Sequence, residues 1–96
     1  METGYKILSE LHPANDSIRL LLNGKFDEEA LPELERSIDV ATSAAPMVFI
    51  DLSEVTLVDR KAVQFFSDQA SPHVKLVNCP IYLRRWIAQV SDENES

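Results

Sequence analysis

Three kinds of side chain in this 96-residue sequence are of types that do chemistry: the carboxylates Asp51 and Asp59, the thiol of Cys79, and the imidazoles of His12 and His73. The two carboxylates follow an apolar run, Val48-Phe49-Ile50, near the end of a strand, where open α/β sheets hold their ligands. Each also has a structural use. Asp59 precedes a helical pattern and can cap it with one local hydrogen bond, contributing about 1 kcal/mol, and Asp51 can satisfy backbone donors in the turn after it. Cys79 stands beside Pro80 at a helix start, a place that lowers a thiol pKa and favours a nucleophile. No partner accompanies it: there is no Cys-x-x-Cys, and neither histidine lies at a spacing that fixes it near Cys79, so a half-buried structural cysteine is the simpler reading. Two histidines and one cysteine far apart make a poor metal set, and no cofactor is expected.

Composition narrows the classes further. Gly4 and Gly24 are the only glycines, so neither a P-loop nor a Gly-x-Gly-x-x-Gly turn can be written. Nine Lys and Arg against sixteen Asp and Glu give a net charge of -7, which repels nucleic acid and anionic lipid at long range. No apolar run approaches the length of a membrane span and Met1 to Tyr5 has no leader pattern, so a cytoplasmic protein without direct membrane insertion is expected. With 45% apolar and 26% charged residues, residues 1–96 should form one domain, burying roughly two-thirds of the surface of the unfolded chain.

The elements that must position these groups follow from periodicity. Tyr5 to Leu8 and Ser17 to Asn23 read as two strands split by a turn cluster at His12 to Asp16, most simply an antiparallel pair. Asn23-Gly24 closes the second. Asp27 offers an N-cap oxygen, Glu28 and Glu29 suit a helix N-terminus, and Pro32 fits a first turn, which predicts a helix over Leu31 to Ala44 with Leu34, Ile38, Ala41 and Ala45 continuing Leu31's buried stripe. Met47 to Ile50 is a central strand, with Asp51 at its carboxyl end. A second helix runs from Arg60 to about Ala70, its inward stripe being Ala62, Val63, Phe66 and Ala70. Val74 to Val77 is the next strand, and Pro80 opens a last helix with Leu83, Trp86, Ile87 and Val90 on one face. Ser91 to Ser96 has no apolar residue and reads as a disordered tail. The result is an α/β protein of order β-β-α-β-α-β-α, a mixed sheet whose later strands are parallel.

Two patches could meet a partner. Phe65 lies at the margin of the second helix's inward face beside the cations Arg60 and Lys61; it is either core edge or an aromatic anchor of the kind interfaces favour. Arg84 and Arg85 read as a solvated helix face. A receiver domain also ends a central strand with an aspartate, but its magnesium site needs an acidic pair after the first strand, and here only Ser9-Glu10 follows it.

Three segments resemble the STAS domain, the fold of bacterial anti-sigma factor antagonists, also found in sulfate transporters and lipid-transport complexes. They are Leu22-Asn23-Gly24-Lys25-Phe26-Asp27, similar to the family's strand-to-helix turn; Val48 through Asp59, its most specific stretch; and Val74-Lys75-Leu76-Val77-Asn78, its last strand. The resemblance implies a non-enzymatic regulatory module that binds a protein, an anti-sigma factor or a kinase-like regulator. In the family's regulatory members a phosphorylated serine follows the aspartate matching Asp59; here Arg60 stands there, and Lys61 and Ala62 replace the small residues after it. The implied contacts are Asp59, Arg60, Lys61 and Phe65. Ser53 and Thr56 are the remaining hydroxyls that could accept phosphate, and neither occupies the family's site. Two other readings stay open: an accessory subunit of a membrane transport complex held by the same surface, and a small thiol-dependent enzyme using Cys79. A homodimer is compatible with either binding reading.

Overall fold

The structure, a computed structural model, describes residues 4–95. Its elements are β1 (Tyr5–His12), β2 (Ser17–Phe26), α1 (Leu31–Ala44), β3 (Met47–Val58), α2 (Arg60–Gln69), β4 (Val74–Val77) and α3 (Ile81–Glu95), with short 3-10 turns before β2 and α1. The four strands form one sheet in the order β1-β2-β3-β4. β1 and β2 are antiparallel, while β2 with β3 and β3 with β4 are parallel. That is the mixed α/β arrangement the sequence pattern predicts.

Strand alternation sends one set of side chains to a single core. Ile18, Leu20, Leu22 and Phe26 from β2 and Val48, Ile50, Leu52, Val55 and Val58 from β3 are buried on the inner face. Against them pack Leu34, Ile38 and Ala41 of α1, Ala62, Val63 and Phe66 of α2, and Leu83 and Val90 of α3, all in one cluster. The opposite face of the sheet carries Leu21, Met47, Phe49 and Val77, all half-buried, and the exposed Leu8 and Leu57. All three helices therefore cover the same face.

Several boundaries differ from the sequence reading, each for a local reason. β1 extends to His12 because Leu11 and His12 pair with Ile18 and Ser17, and β2 continues through Gly24 to Phe26 because Lys25 and Phe26 pair with Leu57 and Val58 of β3. Gly24 adopts φ +94 inside the strand, and Lys25 donates its N–H to the Gly4 carbonyl at 2.6 Å. The register of β2 against β3 shifts on both sides of Gly24, so the glycine serves a bulge rather than a strand-to-helix turn. β3 runs twelve residues instead of four, since β2 continues to pair with it as far as Val58. Asp51 thus lies within β3, at the last position paired with β4. Ala70 is exposed rather than part of the inward stripe, because α2 has ended at Gln69. α3 is helical to Glu95, so Ser91–Glu95 is not the disordered tail expected; Ser91 Oγ lies 2.6 Å from Ser67 Oγ and ties this turn to α2. Ser96, the rest of that expected tail, lies outside the described residues.

Gly24 is the position where the backbone tolerates no side chain, because a Cβ there would run into the Gly4 carbonyl oxygen and the left-handed φ is itself costly for other residues. Gly24→Ala should destabilise the protein by about 2–3 kcal/mol in urea unfolding, whereas Gly4→Ala, whose Cβ would meet only the Lys25 side chain at 3.7 Å, should be near neutral.

Candidate functional site

The loops leaving the carboxyl ends of β2 and β3 meet at one carboxylate. Asp59 caps α2 by accepting the Ala62 N–H on Oδ1 at 2.8 Å. Its other oxygen, Oδ2, accepts the N–H of Glu28 at 3.0 Å, thirty-one residues away in sequence. Asp27 repeats the device on a smaller scale, accepting the Glu29 N–H at 3.0 Å to cap the 3-10 turn that leads into α1. Across this junction Lys61 Nζ sits 3.5 Å from Glu28 Oε1, an exposed pair that contributes little by itself. With both oxygens committed to backbone donors, Asp59 shapes the loop, and its side chain is half-buried.

Arg60 and Lys61 occupy the first turn of α2 and are both exposed, with the Lys61 side chain 69% accessible. Phe65 packs half-buried against the core and meets Phe66 edge-on, with ring centroids 6.2 Å apart and an interplanar angle of 70°. Its ring is mostly core edge, with a rim left at the surface on the same helix as the two cations. Ser53 and Thr56 are exposed on β3. Ser53 is not a bare hydroxyl: its N–H closes a turn onto Asp51 Oδ1 at 2.9 Å.

Asp51 points to the helix-free face of the sheet yet is only 6% exposed. Arg19 of β2 covers it, donating from Nε at 3.2 Å and from Nη2 at 2.9 Å to Oδ2, and Asn78 Nδ2 adds a third bond to the same oxygen at 3.0 Å. Burial pushes this carboxyl up, but hydrogen bonds from Ser53, Asn78 and Arg19 outweigh it and hold the pKa at about 2. Asn78 takes a left-handed φ of 53 to reach it, so the cluster ties β2, β3 and the turn after β4 together. Both Asp51 oxygens are therefore engaged by hydrogen bonds from within the fold.

Cys79 is half-buried, and burial raises its thiol pKa, with Arg84 pulling the other way. The thiol pKa is therefore raised rather than lowered, burial being the larger influence. His12 and His73 are exposed at other places in the fold, and among the described residues no three of His, Cys, Asp and Glu converge as metal ligands. No described helix is long and apolar enough to cross a membrane.

By sequence, the chain matches no family model and no curated protein. By structure it is similar to an anti-sigma factor antagonist from Mycobacterium paratuberculosis, with a TM-score of 0.68 at 22% identity over 95% of this chain and 81% of that one. This chain has the STAS-domain fold. An antisigma-factor antagonist STAS domain from Rhodobacter sphaeroides gives a TM-score of 0.58 at 21% identity, covering 77% of this chain and 86% of that one.

Within the STAS fold, sequence reasoning recognises Asp59 as a helix cap but misses three partners. Glu28 supplies the backbone donor that turns a helix cap into a junction, Arg19 pairs its charge with Asp51, and Asn78 donates a hydrogen bond to it. Arg19 carries a faint signal, being a cation inside the otherwise apolar strand Ile18 to Leu22; nothing in the spacing marks Glu28 or Asn78.

Two expectations follow from these carboxylates. Asp51 has a folded pKa of about 2 against an ordinary 3.8, so it stabilises the fold above the ordinary value and loses that effect as pH falls through the folded one. Asp51→Asn should lower stability by about 2 kcal/mol at neutral pH, with the gap to wild type closing between about pH 4 and pH 2 in urea titrations. For the junction, Asp59→Ala should cost about 1–2 kcal/mol and speed amide exchange at both Glu28 and Ala62. Asp59→Asn keeps a single acceptor and should release only one of the two amides.

Proposed function

We propose that this protein is a non-enzymatic regulatory module that binds a protein partner in the manner of an anti-sigma factor antagonist, without a phosphorylatable serine at the head of α2. The observation that carries the reading is the junction at Asp59: in a STAS fold it holds the loop before α2 rigidly, so that Arg60 and Lys61 stand exposed at the helix start. Arg60 occupies the place where the family resemblance has its phosphoserine. A phosphate there would bring about -1.5 to -2 charges, whereas an arginine brings one positive charge that does not titrate away. The docking edge is therefore constitutively cationic on a protein whose net charge is -7, and it suits an acidic surface on the partner.

In this reading Asp59 sets the loop, Arg60 and Lys61 meet the partner, and the exposed rim of Phe65 flanks them. No cofactor enters, and the protein acts in the cytoplasm. The likeness to two anti-sigma factor antagonists supports the class of partner, an anti-sigma factor or kinase-like regulator.

A pull-down from cell extract, with mass spectrometry of the bound protein, tests this. Arg60→Glu combined with Lys61→Glu should lose the partner that wild type retains, with unchanged thermal unfolding, since both side chains are exposed. Capture at equal strength by the double variant would overturn the proposed docking edge.

A further inference from the structure

β1 is an edge strand of unusual regularity. It spans eight residues, contains no proline, and pairs with β2 in unbroken register from Tyr5 to His12. The other edge, β4, has only four residues. Long, unbulged edges are templates for a further strand, and proteins blunt them unless they are used.

The direction of the backbone hydrogen-bonding groups along β1 is fixed by the existing ladder. The Gly4 carbonyl points toward β2, where it accepts from Lys25. Alternation along an antiparallel strand then turns the backbone groups of Lys6, Leu8, Glu10 and His12 toward β2, and those of Tyr5, Ile7, Ser9 and Leu11 outward. A second strand laid antiparallel on this edge must therefore bond with the odd-numbered residues.

The strand's own sequence satisfies that requirement. When one β1 is paired antiparallel with another about a two-fold axis at Leu8, Tyr5 faces Leu11 and Ile7 faces Ser9 as hydrogen-bonded pairs. Leu8 faces Leu8, and Lys6 faces Glu10 on both sides of the axis, as closely approaching pairs without ladder bonds. Shifting the axis by one residue in either direction places Leu8 opposite a charged residue and loses the ion pairs. The neighbouring surface agrees with this register. Leu8 and Leu11 are 47% and 67% exposed, and Val40 of α1 is 64% exposed. On the inner side of the edge, Ile7, Ile18, Leu20 and Val40, together with the charged Glu33 and Arg36, line an open groove of about 320 Å³. Among the described residues of its own protomer Glu10 reaches His12, at 3.8 Å, a weak competitor for Lys6 of a second copy.

We infer that β1 is a self-complementary edge through which two copies of this chain join their sheets into one continuous sheet about an axis at Leu8. The interface uses backbone pairing for affinity and the Lys6–Glu10 pairs for register. It lies on elements separate from Arg60 and Lys61.

Sedimentation of the full chain tests it by charge exchange. Wild type should dimerise at or below millimolar concentration. Lys6→Glu or Glu10→Lys alone sets like charges opposite each other twice per dimer, and each should weaken dimerisation by about tenfold or more. The combined exchange, Lys6→Glu with Glu10→Lys, should restore it. In a Cys79→Ser background, Leu8→Cys should form a disulfide-linked dimer on mild oxidation, while Lys6→Cys, displaced from the axis, should not. A wild type that stays monomeric at millimolar concentration, or single exchanges without effect, would overturn the interface. A dimer that the double exchange fails to restore, or that Lys6→Cys cross-links as readily as Leu8→Cys, would overturn the register.

Discussion

The geometry of the strand ends depends on the Asp59 carboxylate serving two backbone donors at once. One oxygen caps α2 through Ala62, and the other holds Glu28 in the turn that enters α1. A single N-cap is a local matter worth about 1 kcal/mol. A shared cap is different, because it fixes the relative position of two chain segments that leave different strands. Charge assistance strengthens both bonds, and the partly buried setting weakens competition from water. Arg60 and Lys61 stand exposed in the first turn of the helix start that this cap holds, while Ala62 of the same turn is buried.

The second constraint is the buried carboxylate in the middle of the sheet. Asp51 sits on the helix-free face, where a charge could have remained hydrated, yet Arg19, Asn78 and the Ser53 backbone enclose it. The full set of hydrogen bonds is what keeps it ionised despite burial. The cluster closes the sheet where β4 ends while β3 runs on by another seven residues. Without that tie, the turn through Asn78 would have no reason to hold its left-handed conformation.

Covering only one face of a four-stranded sheet has consequences for the rest of the surface. Leu8, Leu21, Met47, Phe49 and Val77 remain on the other face, partly shielded by the long side chains of the polar residues among them. The charged positions alternate along β1 as Lys6 and Glu10, with Leu8 between them. This pattern is complementary to itself when reversed, a property of an antiparallel strand with opposite charges placed symmetrically about one residue. The proposed docking loop at α2 and the proposed β1 interface are built by different parts of the chain, so the fold can present both at once.

Much of the architecture is legible in the residues themselves. The 3.6-residue periodicity of Leu34, Ile38 and Ala41, the prolines at 32, 46 and 80, and the capping aspartates determine three helices and where each begins, because capping and amphipathic burial are local interactions. Strand lengths are another matter. Nothing within Asp51 to Val58 shows that it continues β3, since its pairing partner is β2, and ladder bonds are made between segments distant in sequence. The same reason hides the partners of the two carboxylates. Asp59 is recognisable as a cap three residues from Ala62, but its bond to Glu28, and the enclosure of Asp51 by Arg19 and Asn78, exist only after the sheet has brought segments about thirty residues apart within 3 Å.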